Sequence, residues 1–247
     1  MGASALFGYK LEHDVMNTGM RSKTGALTRL SFLLCSLTAF AADLPRQLVP
    51  GGVAGTDPQA ELDSCVGLEK IKQELALLVA EEKAHRMRLE AGMVVDRRPR
   101  HMVFTGPAGS GKTMVARILG RMFAGTGVLS SGHIVVVDRG DLVHGETWEI
   151  GARVRRVVDR AVGGVLCVEA VHELQPAEED WRNREAVNAL VGAVQSHDKD
   201  LVVVLTGPDA AVNGLLKSEK ELAAFFPSVL RFPALTQDSF VALFQSK

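Results

Sequence analysis

The sequence lacks a dominant charge. Lys plus Arg number 28 against 29 Asp plus Glu, a formal net charge of −1 over 247 residues, so no general attraction to nucleic acid or anionic lipid is expected. Cysteine is scarce. Cys35, Cys65 and Cys167 are widely spaced and have no His or Cys partner at metal-ligand spacing, which argues against a disulfide framework and against a zinc site and fits a reducing compartment. Long apolar runs are missing too: the best candidate, residues 30–42, is too short and too polar to span a bilayer. Neither an internal repeat nor a low-complexity segment is visible. What is present is a chain 47% hydrophobic, long enough to bury one sizeable core with at most a small appendage.

The first sixty residues read differently from the rest. Arg21, Lys23 and Arg29 precede the apolar run, which ends Ala39-Phe40-Ala41, a pattern like a secretory signal read from Met20. Residues 15–42 also lack acidic side chains and are rich in Ser and Thr, as organelle transit peptides are. A third reading is an extension whose apolar part docks on the domain. All three stay open at this stage. Pro45, Pro50, Gly51, Gly52, Gly55 and Pro58 then cluster, which is the composition of a linker. The expected organisation is an N-terminal extension and linker over residues 1–60, a core over 61–235, and the start of a further segment over 236–247.

Within 66–90 the apolar residues Ile71, Leu75, Leu78 and Val79 recur at helical spacing, and charged residues fill the other faces, so a long amphipathic helix is expected. Residues 101–105 are a short apolar run between Pro99 and Gly106 and read as a buried strand. Val115, Ile118, Leu119 and Met122 follow at i, i+3, i+4 and i+7, placing a helix start at or just before Lys112. Further β-branched runs at 134–137, 165–168 and 201–205 alternate with helical stretches around 152–161 and 181–195. That alternation predicts an α/β fold, a parallel sheet sandwiched between helices.

Between the first of these strands and its helix lies Gly106-Pro107-Ala108-Gly109-Ser110-Gly111-Lys112-Thr113. Its glycines let successive backbone N–H groups turn inward, and the start of the following helix adds its positive dipole end, so the loop suits an anion. A lysine ammonium beside it reaches the β- and γ-phosphates of a nucleotide, and the Thr113 hydroxyl is placed to ligate the bridging Mg²⁺. The pattern is complete and stands in its strand-loop-helix context. It implies a P-loop NTPase, with ATP and Mg²⁺ as the expected cofactors. An ATP-dependent domain also makes organelle import a more coherent targeting reading than secretion.

Beyond the loop the sequence resembles the AAA ATPases that include the red-type rubisco activase (CbbX-like), stage V sporulation protein K and type VII secretion ATPases. The resemblance opens at Leu62-Asp63-Ser64-Cys65-Val66-Gly67-Leu68, runs through His101-Met102-Val103-Phe104-Thr105-Gly106, Gly132-His133-Ile134-Val135-Val136-Val137, Asp141-Leu142-Val143 and Gly163-Gly164-Val165-Leu166, and closes with Leu201-Val202-Val203-Val204-Leu205 and Arg231-Phe232-Pro233. It spans about residues 61–240. It implies an AAA-type fold, nucleotide contacts at Val66, Gly67 and Met114 besides the loop, and a ring built with itself or an AAA paralogue that remodels a protein client. Neither a nucleic-acid partner nor a membrane partner is expected for the core. The compartment is then the cytoplasm, or an organelle interior if the N-terminal segment is a transit peptide.

The chain departs from that family in several places. The family's second acidic motif ends a strand in Asp-Glu, for Mg²⁺ and for the attacking water, whereas here the strand ends Leu166-Cys167-Val168-Glu169-Ala170. An ungapped match puts Glu169 at the Mg²⁺ position and Ala170 at the water-activating one; a one-residue slip would turn the strand's side chains to the opposite faces. Glu173 is the nearest other carboxylate and reads as a solvated one. The family's Arg-x-Arg pair is replaced by Ala223-Ala224-Phe225, with Arg231 displaced onto the last strand. The family's helical lid would begin where the chain reaches Lys247, so residues 236–247 read as the start of a truncated lid and the lid itself is expected to be missing. Thr206 stands either as a polar sensor of the γ-phosphate or as a helix cap. Trp148, in the stretch 144–151 matching a pore loop, either grips a client or anchors a loop. Arg153, Arg155, Arg156 and Arg160 decorate a helix whose Val154, Val157 and Val158 face inward, and Glu178, Glu179 and Asp180 supply charge at a helix start. The resulting expectation is an ATP-binding AAA module with slow or impaired hydrolysis and a regulatory or partner-subunit role. The alternative is an active remodelling ATPase with Glu169 as catalytic carboxylate.

Overall fold

The computed structural model of the chain describes residues 47–49, 57–95, 99–176, 180–197 and 199–234. The targeting readings of 15–42, the segment 236–247, and Glu178 and Glu179 lie outside these residues. The described elements all belong to the unit that begins at Pro45.

Strands β1 (Gln47–Val49), β2 (Met102–Thr105), β3 (Ile134–Val137), β4 (Val165–Val168), β5 (Val202–Gly207) and β6 (Ser228–Arg231) form a sheet in the order β1-β3-β4-β5-β2-β6. The five strands from β2 onward are mutually parallel. One feature departs from the all-parallel expectation: β1, in the stretch read as linker, pairs antiparallel with β3, Leu48 opposite Val135. Strand β2, which delivers the phosphate loop, lies between β5 and β6, with Phe104 level with Thr206 and Leu230.

Side chains alternate along each strand, and the alternation sorts the core into two layers. Met102, Phe104, Ile134, Val136, Val165, Cys167, Val202 and Val204 pack with Leu62 of α1 (Pro58–Ser64), Ile71 and Leu75 of α2 (Glu69–Glu90), and Val115, Ile118 and Leu119 of α3 (Lys112–Gly125). Val103, Val135, Val137, Leu166, Val168, Val203 and Leu205 pack on the other face. There they meet α4 (Arg139–Val143), α5 (Thr147–Ala161), α6 (Trp181–His197), α7 (Asp209–Ser218) and α8 (Lys220–Ala223). Every residue of β2 to β5 is buried, as a parallel sheet covered on both faces requires.

Local chemistry sets the helix starts. Asp57 accepts the Gln59 N–H at 3.0 Å, with Pro58 in the first turn of α1. Asp138 and Asp141 form a reciprocal capping box on α4. Asp180 accepts the Asn183 N–H at 3.3 Å at the start of α6 and pairs with Arg139 at 3.4 Å. On α5, Val154, Val157 and Val158 are buried while Arg155 and Arg156 are exposed. Residues 147–151 are the first turn of α5 rather than a loop, and Trp148 is 79% exposed, which removes the reading of that ring as a packed anchor.

Candidate nucleotide site

Gly106 leaves the end of β2 with φ 145°, and its N–H donates to Gly207 O at 3.1 Å on β5. A Cβ there would sit 2.5 Å from Phe232 O, so no side chain fits as the chain turns away from the sheet. Phe232 in turn donates its N–H to Thr105 O at 2.7 Å and lays its ring 5.2 Å from that of Phe104. The start of the loop is thereby locked between β5 and the end of β6. Its far end is Gly111, left-handed at φ 91°, which begins α3 with no side-chain cap. The amide donors of that first turn are consequently open to an anion.

The lysine is folded into the loop it serves. Lys112 Nζ donates to Gly106 O at 3.0 Å, Pro107 O at 2.6 Å and Ser110 Oγ at 3.3 Å, and Ser110 Oγ itself donates to Pro107 O at 2.8 Å. Partial burial holds the Lys112 ammonium below the usual lysine range, while the Glu169 carboxylate and the Cys167 sulfur pull the other way. Cys167, wholly buried under the site, has its thiol pushed far above the usual range, first by burial and then by Glu169, with Lys112 opposing.

Glu169 leaves β4 with its N–H donating to Val137 O at 2.7 Å, and its side chain accepts a hydrogen bond from the Thr113 hydroxyl. The strand residues before it, Val165 to Val168, are all buried, and their register against β3 runs without a slip. Ala170 follows in the left-handed region at φ 48°, the one non-glycine with positive φ among the described residues. Glu173 is exposed and is not on the wall of the cavity described next.

These groups line one cavity of about 500 Å³. Of the residues expected from the sequence, Gly106, Ala108, Gly109, Ser110, Gly111, Lys112, Thr113, Met114, Glu169 and Thr206 are on its wall. Pro107 lies just behind it, its carbonyl holding Lys112. Val66 and Gly67 stand on the turn between α1 and α2, outside the lining; Leu68, next to them, approaches Gly111. Thr206 is buried within β5, and the residue at the α7 start is Pro208 with no side-chain cap bond, so the capping alternative for Thr206 finds no support. Arg231, exposed on β6, pairs with Asp209 at 3.5 Å and does not line the cavity. The wall also holds Ala170, His172, Gly207 and Pro208. Of these, Gly207 was readable from its place after Thr206 on the strand beside the loop; His172 carried no motif.

The donor set fits a nucleotide with its metal. Among the described residues no cluster of three or more His, Cys, Asp or Glu could hold a metal ion by itself. The pair Thr113 and Glu169 suits Mg²⁺, which keeps waters and shares its coordination with substrate phosphates. No helix of the described residues is long and apolar enough to cross a membrane.

A phosphate loop on an interior strand of a covered parallel sheet, with a carboxylate just beyond β4 of the same sheet meeting the loop's threonine, defines a P-loop nucleotide-binding domain. Comparison with known proteins places it more closely. Residues 102–218 match the ATPase family associated with various cellular activities (AAA). ESX-1 secretion system protein EccA1 of Mycobacterium leprae is 30% identical over 192 residues, 76% of this chain and 33% of that protein. Stage V sporulation protein K of Bacillus subtilis is 29% identical over 175 residues, 71% of this chain and 54% of that protein. ESX-3 secretion system protein EccA3 of Mycolicibacterium smegmatis is 29% identical over 189 residues, 76% of this chain and 31% of that protein. The chain thus spans about a third of the length of the EccA relatives. In fold it is similar to the FIGL-1 AAA domain solved with ADP, with TM-score 0.57 and 18% identity over 85% of this chain and 66% of that one. Residues 102–218 thus carry the AAA family match, and the relatives come from the group that the sequence resembles.

Proposed function

We propose that this chain is an ATP-binding AAA module, with ATP and Mg²⁺ as its ligands and slow or absent hydrolysis. It acts as a regulatory or partner subunit beside copies of itself or an AAA paralogue, on a protein client. Residues 61–235 are its ATP-binding core. The cytoplasm is its compartment, or an organelle interior if the N-terminal segment directs import.

The observation that carries this reading is the hydrogen bond from Thr113 to Glu169 with Ala170 next in the chain. Glu169 is already committed to the metal side of the site, and the following position offers a methyl group where a water-activating carboxylate would stand. Magnesium, when bound, supplies charge neutralisation between the phosphates. The chain's own groups supply the rest: the open amides of the loop and the Lys112 ammonium bind the polyphosphate, Thr113 and Glu169 hold the metal, and Thr206 faces the cavity from β5. Losing a positioned general base costs about 10²–10⁴ in rate, which leaves binding intact and turnover slow.

The test is titration of the purified chain with a fluorescent ATP analogue, with and without Mg²⁺, beside steady-state phosphate release and sizing. Binding that Lys112→Ala removes, together with turnover far below that of intact AAA proteins, supports the proposal. Turnover at an ordinary AAA rate that Glu169→Gln abolishes would instead make Glu169 the catalytic carboxylate of a working remodeller.

A further inference from the structure

His172 is the one titratable side chain on the cavity wall that the reading above does not use. It sits in the 3₁₀ turn Val171–Leu174 that follows Ala170. The turn is fixed on both sides. Val171 and Leu174 are buried at 0% and 1% exposure, and Asn183 Nδ2 donates to Glu173 O at 3.0 Å and Gln175 O at 3.3 Å. Entry into it passes through the left-handed backbone of Ala170, a conformation that a non-glycine residue rarely adopts. The turn brings His172 to the cavity wall.

The ring lies against Gly207, where a Cβ would come 3.1 Å from His172 Nδ1. Gly207 is tied to the phosphate loop through the Gly106 N–H. Nδ1 is shielded from solvent and has no hydrogen-bond partner on the protein. Nδ1 is therefore the ring nitrogen closed off against Gly207, and Nε2 is the one left for the cavity, whose wall His172 shares with Lys112, Thr113, Glu169 and Thr206, the groups assigned above to the phosphates and the metal.

We propose that His172 is a nucleotide-contacting residue that reads the terminal phosphate, its Nε2–H donating to a γ-phosphate oxygen so that the chain distinguishes ATP from ADP. This rests on the nucleotide-binding reading and deepens it: a chain that holds ATP without turning it over needs a way to tell the triphosphate from the diphosphate, and the histidine supplies it from the strand end where the carboxylate is absent.

The experiment measures the dissociation constants of a non-hydrolysable ATP analogue and of ADP, both with Mg²⁺, on the full chain as wild type, His172→Ala and His172→Gln, with thermal melts as a folding check. A hydrogen bond to a charged phosphate oxygen corresponds to about tenfold in affinity. His172→Ala is expected to lose about that factor for the triphosphate and to leave ADP unchanged, with His172→Gln, which keeps an N–H donor, recovering part of it. Nitrogen-15 signals of the His172 ring are expected to shift with the triphosphate and not with ADP. Parallel weakening of both nucleotides, or an unchanged ratio in both variants, overturns the proposal. Should His172→Ala unfold, the ring signals of the wild type and the His172→Gln ratio decide. If the wild type binds neither nucleotide, the nucleotide-binding reading itself has failed.

Discussion

Thr113, in the first turn of α3, donates its hydroxyl hydrogen bond to Glu169, the first residue beyond β4. The contact joins two segments 56 residues apart in sequence, and Glu169 is the one acidic side chain on the cavity wall. Ala170, next in the chain, has no polar side-chain atom.

Installing a carboxylate at that position is the sharpest probe of the impaired-hydrolysis reading. The left-handed conformation of Ala170 is no harder for glutamate than for alanine, since both carry a Cβ. Ala170→Glu is expected to raise steady-state phosphate release by about 10²–10⁴ while ATP affinity holds. No rise, with binding retained, would show that the missing carboxylate is not what limits turnover.

Much of this site was legible because it is local. The phosphate loop is eight consecutive residues between a strand and a helix, and α3 begins at Lys112, where the periodicity put it. The placement of Glu169 rested on the phase of an apolar strand, and the structure puts Glu169 directly after that strand, Val165–Val168, all of it buried. His172 was not legible, because its relation to Gly207 depends on a backbone reversal at an alanine, which no residue preference announces. Nor was β1, three residues inside a Pro- and Gly-rich stretch, which gains its place only by pairing with β3. The exposed Trp148 shows a third limit: spacing alone did not separate the first turn of a helix from a loop.

The two ends of the loop should respond differently to a methyl group. Gly106→Ala places a Cβ 2.5 Å from Phe232 O and 2.9 Å from its Cβ, whereas a Cβ on Gly109, at φ 75°, meets nothing within 4 Å. Gly109→Ala should cost only the backbone preference, about 1–2 kcal/mol. Gly106→Ala adds the displacement of Phe232 and should lower Tm further, as thermal melts of the two variants would show. Equal losses would mean that the Phe232 contact relaxes freely.

Cys167 should be chemically silent in the native protein. It is fully buried between the sheet and α3, and burial together with the Glu169 carboxylate holds its thiol far above the usual range, so almost no thiolate exists at neutral pH. Peptide mapping after alkylation at pH 8 should find Cys167 unmodified without denaturant and modified with it. Rapid native labelling there would mean that the site opens far more often than its packing implies.

Lys112 supplies the pH dependence, and its sign follows from the direction of the shift. Its ammonium is held below the usual lysine value by burial, so the unfolded chain binds more protons than the folded one in the window just under that value, and Lys112 makes stability rise with pH there. Nucleotide affinity should move the opposite way, because the phosphates require the charged form and Lys112 loses its proton earlier than an exposed lysine does. The expected outcome is an ATP affinity that falls as pH climbs toward 10.5, the ordinary lysine value, with the fall absent in Lys112→Arg, whose guanidinium stays charged throughout. Titrations with the fluorescent ATP analogue across that range, on wild type and Lys112→Arg, check it; an identical alkaline fall in both would assign the effect to groups other than Lys112.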